Sequence, residues 1–483
     1  MINSISNLEP KGLWDVFSKL LQIPHPSGFE QKMANFICEF AKANCHQCTV
    51  DEVGNVIVDL KACPEKQNAP LVILQGHMDM VPVCKDGFTH DFKQDPIEAL
   101  IDNGKIKADH TSLGADNGIA IAMMLSLMAK KDLKAGPLRM IFTVEEETSM
   151  KGASNIDKKY LQGDYLINLD SEDNGYLFVS CAGSCDINLS FEYQKIATEH
   201  TKGLKINLDN FSGGHSGADI HLGRANAIKV LASILNSLTF DFDFFIEKIE
   251  GGTVRNSIPT FASASIAVDV SEFDKVKAAI EEAFKEQALI YSATDKNARL
   301  SISEQEVTNS LSYAQTQDLI SLLLALPNGI LRLSPLYEGN IVETSINLGV
   351  ISTCDKSVDL CLLPRSLTDL SLNDTIDRVS CIVNLLDNVK MKVQNLHPAW
   401  QSPSDNHLIK VLNDCYKKVT GNSFKITALH AGVECAQFVK ANPNLQLISI
   451  GPTISSPHSI YESLDIQGTN DMYNTLLLAL EIL

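Results

Sequence analysis

The chain contains 483 residues, with 40 Lys and Arg against 59 Asp and Glu, so its formal net charge is −19. This charge argues against nucleic-acid and membrane partners, because anionic surfaces are held by clustered basic side chains and repel a strongly negative chain. Hydrophobic residues make up 45% of the sequence, which is enough for packed cores, and the length predicts two or three domains.

We expect a cytoplasmic protein. The apolar run at 119–129 is shorter than the ~18–20 residues of a membrane-spanning helix. The N-terminal residues lack the basic start and apolar stretch of a secretory signal. The 12 cysteines are spread singly along the chain, which is typical of reduced thiols rather than of a disulfide scaffold.

The first third of the chain alternates between helical and strand patterns. Apolar residues recur with helical spacing in two segments near 13–21 and 33–40, and a strand pair is predicted near 49–60. The continuous apolar run 71–74 is typical of a strand buried on both faces. A helix over 117–131 and strands over 138–144 and 165–169 follow. This alternation predicts an α/β fold whose open, mostly parallel sheet is flanked by helices.

The pattern changes after residue 181 and returns near residue 397. Strands near 204–208, 261–270, 341–350 and 357–363 surround a helix at 274–287 and a polar stretch at 291–310. A helix at 407–419 and a buried strand at 445–450 then resume the first pattern. We therefore predict one catalytic domain made of 1–185 and 396–483, interrupted by an inserted α+β domain at 186–395.

Metal-type ligands follow the predicted strands. In open α/β sheets, functional groups gather beyond the carboxyl ends of the strands. One by one, these residues could be ordinary caps or surface charges, but chance does not easily put them at successive strand ends. The candidate residues, in chain order, are His77 and Asp79, Asp116 in a glycine-rich turn, Glu145 to Glu147, Asp170 and His458.

Two His and several carboxylates favour zinc, cobalt or manganese over a thiolate-binding ion. A single catalytic zinc uses three protein ligands and a water, so this set fits two ions that share one carboxylate better. Asp79, two residues beyond His77, is placed to orient the imidazole.

These motifs resemble those of the M20 metallopeptidases. The matching segments are His77-Met-Asp79, Gly114-Ala-Asp116-Asn-Gly118, the acidic triplet Glu145–Glu147, Asn168-Leu-Asp170 and Ser456-Pro-His458. They occur in family order and span nearly the whole chain. The segments Gly213-Gly-His-Ser-Gly217 and Leu429-His-Ala-Gly-Val-Glu434 are most similar to the Xaa-His dipeptidase branch of that family.

The resemblance implies a role for each candidate residue. One metal is held by His77 and Asp170, the other by Glu147 and His458, and Asp116 bridges them. Glu146 is the general base and Asp79 supports catalysis. The triplet leaves a second register open, in which Glu145 and Glu146 are the base and the ligand. The turn that follows the triplet favours Glu146 and Glu147.

The insertion is then implied to be a lid and dimerisation domain, and the protein a homodimer. His215 resembles a lid histidine that stabilises the oxyanion, acting within one subunit or across two. Asn256 and Arg365 resemble family positions that contact substrate, and Arg365 suits a peptide carboxylate. His430 and Glu434 are weaker candidates for the same role.

The expected function is hydrolysis of dipeptides, of the Xaa-His type including β-Ala-His, by a water between two divalent ions that Glu146 activates. Zinc is the expected metal, with cobalt or manganese as alternatives. A tripeptidase, an aminoacylase or an N-deacylase with the same site is the alternative enzyme, since the ligands do not select the substrate. A catalytically silent metal-binding scaffold is the alternative outside enzymes.

Overall fold

The computed structural model describes residues 5–198, 202–403 and 405–483. The chain divides into two compact units. Unit 1 comprises Met1–Ser180, Trp400–Ala428 and Val433–Leu483, and unit 2 comprises Cys181–Ala399 and Leu429–Gly432. The predicted insertion, 186–395, falls within unit 2.

The helices with defined bounds are, in chain order, α1 Lys11–Leu20, α2 Gln31–Ala43, α3 Ala115–Met128, α4 Lys151–Ser154, α5 Ala227–Leu238, α6 Phe273–Ile290, α7 Tyr313–Ala325, α8 Asp369–Val383, α9 His407–Thr420, α10 Cys435–Ala441 and α11 Ile466–Ile482. The strands before the middle of the chain are β1 Gln47–Val50, β2 Val56–Leu60, β3 Val72–His77, β4 Ala99–Asp102, β5 Lys105–Ala108, β6 Leu138–Thr143, β7 Tyr165–Asn168, β8 Tyr176–Cys181, β9 Gly183–Glu192, β10 Ile196–Ala197, β11 Lys202–Asp209 and β12 Phe244–Gly251. The remaining strands are β13 Ala262–Val268, β14 Arg299–Glu306, β15 Asn309–Ser310, β16 Gly329–Leu333, β17 Val342–Thr353, β18 Ser357–Ser366, β19 Val389–His397, β20 Trp400–Gln401, β21 Lys425–Leu429, β22 Gln446–Ser449, β23 Ile454–Ser455 and β24 Ser463–Asp465.

Unit 1 is built on an open sheet. Within the described residues its strand order is β1-β2-β6-β3-β7-β22-β8-β20, and β21 pairs with β8. The central pairs β6–β3, β3–β7 and β7–β22 are parallel, and the pairs β1–β2, β2–β6 and β22–β8 are antiparallel. The predicted α/β fold is confirmed, with the parallel pairing concentrated at the centre of the sheet. A smaller sheet of order β23-β24-β5-β4 accompanies it.

The centre of this sheet is shielded from solvent. Strand β3 is buried along its whole length, as the apolar run that ends at Leu74 predicts for its first half. Helix α3 is also buried at every residue, because its sequence from Ala115 to Met128 contains almost no charge. The residues that begin α3 are therefore held away from water, which matters for Asp116.

Unit 2 is an antiparallel sheet covered by helices. Its strand order within the described ranges is β14-β11-β13-β12-β17-β18-β9-β19, with β16 paired to β17 and a separate pair β10–β15. One apolar cluster joins these strands to α5, α6, α7 and α8, and Phe191, Leu231, Phe244 and Ile346 belong to it. This arrangement is the α+β architecture that the sequence predicts for the insertion.

Two observations differ from the sequence-based expectations. The polar stretch 291–310, for which no strand was predicted, contains β14 and β15. Helix α2 packs against β1, and Cys38 and Cys48 form a disulfide there although isolated thiols were expected. Among the described residues, no helix combines the length and the apolar composition that a membrane span requires.

Candidate metal centre

The candidate ligands of unit 1 gather at one edge of the parallel sheet. His77 is the last residue of β3, Asp170 follows β7, and Glu145 begins the turn after β6. Because β6, β3 and β7 are adjacent and parallel, their carboxyl ends meet at the same edge. Asp116 enters this edge from the first turn of α3.

His77 faces two carboxylates at once. Its Nε2 lies 3.1 Å from Oδ1 of Asp116 and 3.3 Å from Oδ1 of Asp170. The imidazole is 1% exposed. A single N–H cannot point at both oxygens, so the arrangement suits a cation shared by the three groups better than it suits hydrogen bonding alone.

His458 forms a second cluster with the other oxygen of Asp116. Nε2 of His458 lies 3.0 Å from Oδ2 of Asp116 and 2.9 Å from Oε1 of Glu147. Asp116 thus presents Oδ1 to His77 and Oδ2 to His458, which is the geometry of a carboxylate between two metal ions. His458 lies in the loop after β23, far from the other candidate ligands in the sequence.

The carboxylates around these imidazoles are crowded and poorly solvated. Burial, together with the charges of Asp170, Glu147 and Glu434, raises the pKa of Glu146 well above its usual range. Burial and the charge of Asp116 raise the pKa of Glu147 to about 7. Burial also raises the pKa of Asp170. Such a concentration of buried negative charge calls for compensating cations.

The donor set fits divalent metal ions. Three groups of side chains each bring one ligand atom within 4.8 Å of the others: His77, Asp116 and Asp170; Asp116, Glu147 and His458; and His77, Glu146 and Glu147. Imidazole nitrogen with carboxylate oxygen is the ligand combination of zinc, cobalt and manganese sites. His77 and Asp170 would hold one ion, Glu147 and His458 the other, and Asp116 both.

Asp79 supports this centre from behind. The Nδ1 atom of His77 lies 3.0 Å from the backbone oxygen of Asp79 and 3.3 Å from its Oδ1. The same carboxylate accepts the backbone N–H groups of Glu146 at 3.0 Å and Glu147 at 3.2 Å, and the hydroxyl of Ser27 at 2.8 Å. Asp79 therefore fixes both the imidazole and the acidic turn.

Glu145 is engaged elsewhere. Its carboxylate lies 2.8 Å from Nζ of Lys151 and accepts the hydroxyl of Ser149 at 3.1 Å. Its backbone N–H is donated to Oε1 of Glu30, which was not predicted as a site residue. In the described chain, Glu145 belongs to none of the metal-type groups. This geometry favours the register in which Glu146 and Glu147 are the base and the ligand.

Glu434 lies beneath the strand ends rather than among the ligands. It is fully buried and accepts hydrogen bonds from Nε2 of Gln75 at 2.6 Å and Oγ1 of Thr143 at 2.7 Å. Burial raises the pKa of Glu434 to about 8. Gln75 and Thr143 were not predicted as site residues, although a polar residue inside an apolar strand is a detectable signal.

The other predicted residues belong to unit 2, where three of them meet. The Nη2 atom of Arg365 lies 3.4 Å from Nε2 of His215. Nδ1 of His215 accepts the backbone N–H of Ala218 at 3.0 Å, so its proton resides on Nε2 in the neutral form. His215 and Arg365 therefore present two donors side by side, which suits an anionic group.

His430 and Asn256 flank this pair. The backbone oxygen of His430 is 2.3 Å from the position that a Cβ at Gly217 would occupy, so only glycine fits there. Nε2 of His430 lies 2.7 Å from Oγ of Ser345, and burial with the charge of Arg365 lowers its pKa to about 3. The side chain of Asn256 is exposed, and its backbone oxygen accepts the N–H of Ser216.

Comparison with known proteins identifies the family. A sequence profile described as Peptidase family M20/M25/M40 matches residues 73–482. The chain belongs to this peptidase family. It is therefore a hydrolase of peptide bonds, as the strand-end residues and the resemblance of their motifs predicted.

One curated relative and two solved structures of peptidases align with this M20/M25/M40 family member over nearly its full length. It is 35% identical over 481 residues to a cytosol non-specific dipeptidase of Escherichia coli, covering 99% of this chain and 98% of the relative. The crystal structure of an aminoacylhistidine dipeptidase from Vibrio alginolyticus matches with a TM-score of 0.86 at 33% identity, covering 99% and 98% of the two chains. The structure of aminopeptidase PepT from Bacillus cereus matches with a TM-score of 0.58 at 15% identity over 98% of each chain, and supports the fold alone.

Proposed function

We propose that the protein is a cytoplasmic two-metal dipeptidase that cleaves Xaa-His dipeptides, including those of the β-Ala-His type. The observation that carries the proposal is the placement of the two carboxylate oxygens of Asp116. One oxygen faces His77 and the other faces His458. The full-length similarity to two dipeptidases, one of them named for aminoacylhistidine substrates, supports the substrate class.

The metal ions, when bound, supply a more acidic water and a polarised carbonyl. Zinc is the proposed metal, and cobalt and manganese are the alternatives that suit the same nitrogen and oxygen ligands. The chain's own task is to hold the ligands and to move one proton.

Glu146 is the proposed general base. Its carboxylate lies within the group formed with His77 and Glu147, and Asp79 fixes its backbone. It takes a proton from the attacking water as the new C–O bond forms. It then donates that proton to the nitrogen of the leaving amine as the C–N bond breaks, so the carboxylate is regenerated.

Unit 2 is proposed to act as the lid and dimerisation domain of a homodimer. Within it, Nε2–H of His215 would stabilise the oxyanion, and the guanidinium of Arg365 would bind the substrate carboxylate. Asn256, His430 and Glu434 are proposed to contact or position substrate. The domain boundaries at 185 and 396, and the action of His215 across two subunits, are part of this proposal.

A panel of substrates tests the proposal. The purified zinc-loaded protein should hydrolyse β-Ala-His and Leu-His faster than the tripeptide Leu-Gly-Gly or N-acetyl-methionine. Faster turnover of the tripeptide would identify the protein as a tripeptidase, and faster turnover of the N-acyl amino acid would identify it as an aminoacylase or N-deacylase. Stoichiometric zinc with no hydrolysis of any of these compounds would favour the scaffold role.

A further inference from the structure

A buried glutamate lies directly behind Asp116. Glu462 is 3% exposed, and its two carboxylate oxygens accept four consecutive backbone N–H groups. Oε2 accepts those of Leu113 at 2.7 Å and Gly114 at 3.0 Å. Oε1 accepts those of Ala115 at 2.8 Å and Asp116 at 3.2 Å. Each oxygen is thus shared by two donors from one turn.

This turn requires such a partner. Gly114 has φ of 71°, in the left-handed region, and Asp116 has φ of −84° with ψ of 105°, which is not helical. The N–H groups of such a turn and of a helix start converge on one point and favour an anion there. Buried donors that lack an acceptor are costly, so the shape of the turn depends on the carboxylate of Glu462.

Glu462 lies close in the sequence to His458, a candidate ligand of the second metal ion. It lies four residues after His458, and its own N–H is donated to the backbone oxygen of Ser459. One short segment therefore contributes an imidazole in front of Asp116 and a carboxylate behind it. A shift of this segment would move His458 and the backbone of Asp116 at the same time.

We propose that Glu462 is a positioning residue of the metal centre, which holds Asp116 so that its two oxygens stay divided between His77 and His458. This inference rests on the proposed bridging role of Asp116. It assigns Glu462 no contact with metal or substrate. Support of this kind behind a metal ligand is generally worth about 10- to 100-fold in metal affinity or activity.

The test is zinc binding by the full-length metal-free protein, measured by competition with a chromophoric chelator. In Glu462→Gln the amide NH2 replaces one acceptor oxygen and faces two N–H donors. We expect at least one of the two zinc ions to bind about 10- to 100-fold more weakly, while the far-UV circular dichroism of the metal-free protein is unchanged. Glu65→Gln, an exposed substitution in the same unit, is the matched control and should bind as wild type.

Two further variants separate the possible outcomes. Glu462→Asp keeps the charge and should recover part of the lost affinity, and the same titration on it decides the question if Glu462→Gln does not fold. Wild-type zinc affinity in Glu462→Gln, with loss of zinc in Asp116→Ala, overturns the positioning role and leaves the two-metal site intact. Wild-type zinc binding in Asp116→Ala overturns the bridging role itself, and with it the inference.

Discussion

Asp79 supports His77 through two contacts to the same ring nitrogen. The Nδ1 atom of His77 lies 3.0 Å from the backbone oxygen of Asp79 and 3.3 Å from its Oδ1. Both acceptors place the proton on Nδ1 and leave Nε2 as the atom that faces Asp116 and Asp170. The ring orientation that presents Nε2 to these carboxylates is thereby fixed by Asp79.

Replacing Asp79 by Asn should weaken this support. The amide group cannot accept from all of its present donors, which include the backbone N–H groups of Glu146 and Glu147. We expect kcat/KM for a dipeptide to fall about 10- to 100-fold. Asp86→Asn, at an exposed position in the same unit, is the control and should behave as wild type. An unchanged kcat/KM in Asp79→Asn contradicts the prediction.

Glu146→Gln should nearly abolish turnover while zinc stays bound. General-base catalysis contributes about 10²–10⁴-fold, and the amide cannot take the proton of the attacking water. Steady-state kinetics and zinc content, measured on the same preparation, check both statements. Glu145→Gln is the matched control, because Glu145 is paired with Lys151 and should tolerate the change. If Glu145→Gln lost turnover but kept zinc, and Glu146→Gln lost zinc, the other register would hold, with Glu145 as the base and Glu146 as the ligand.

Removal of metal should reduce both activity and thermal stability. Without cations the crowded carboxylates around His77 and His458 repel one another, so the metal-free fold should unfold at a lower temperature. Zinc at 100 times its Kd stabilises a folded protein by about 2.7 kcal/mol relative to the metal-free form. Differential scanning calorimetry with and without a chelator measures the shift. The Tm of Asp116→Ala should respond much less to the chelator.

Lys229 offers a stability test that does not involve the metal centre. In unit 2 its Nζ donates to the backbone oxygens of Leu323, Leu324 and Leu326 at distances of 2.5 to 3.1 Å, at the end of α7. Lys229→Met leaves these acceptors without their donor and should lower the free energy of unfolding by about 1–3 kcal/mol. Urea denaturation measures this loss, and exposed Lys277→Met should show almost none.

His430 predicts a pH dependence of stability. Its pKa is lowered to about 3 in the fold by burial and by the charge of Arg365, against about 6.5 in an unfolded chain. Between these values the unfolded chain binds the extra proton, so stability falls as pH decreases from 6.5 toward 3. His430→Asn should lose less stability than wild type between pH 7 and pH 5, as measured by urea midpoints. Equal losses in both proteins would contradict the assignment.

The ligand-bearing edge was accessible from the sequence because two independent patterns coincide there. The apolar runs before His77 and Asp170 mark buried parallel strands, and polar residues directly after such strands meet at one edge. The start of α3 was likewise within two residues of its prediction, since the helix coincides with the apolar segment. Local pattern and tertiary structure agree at these positions.

Other features depend on partners that are distant in the sequence. Strand β14 has a polar sequence, and it forms because backbone hydrogen bonds to β11 hold it at the edge of the sheet. Glu462 is surrounded by ordinary loop sequence. The backbone N–H groups that its carboxylate accepts lie 346 to 349 residues earlier in the chain. The hydrophobic periodicity of a segment does not indicate which distant residues it will contact, so neither the edge strand β14 nor the role of Glu462 was predicted.

The position of His458 has a consequence for the order in which the enzyme becomes active. Strands β3, β6 and β7 and the residues from His77 to Asp170 leave the ribosome early, whereas β22, His458 and Glu462 emerge 276 to 292 residues after Asp170. Until then the second cluster lacks its imidazole and the turn at Asp116 lacks its acceptor. A nascent chain that carries His77, Asp116, Glu147 and Asp170 is thus still unable to assemble the proposed paired site. On that proposal, hydrolytic activity is confined to molecules whose late segment has joined the sheet.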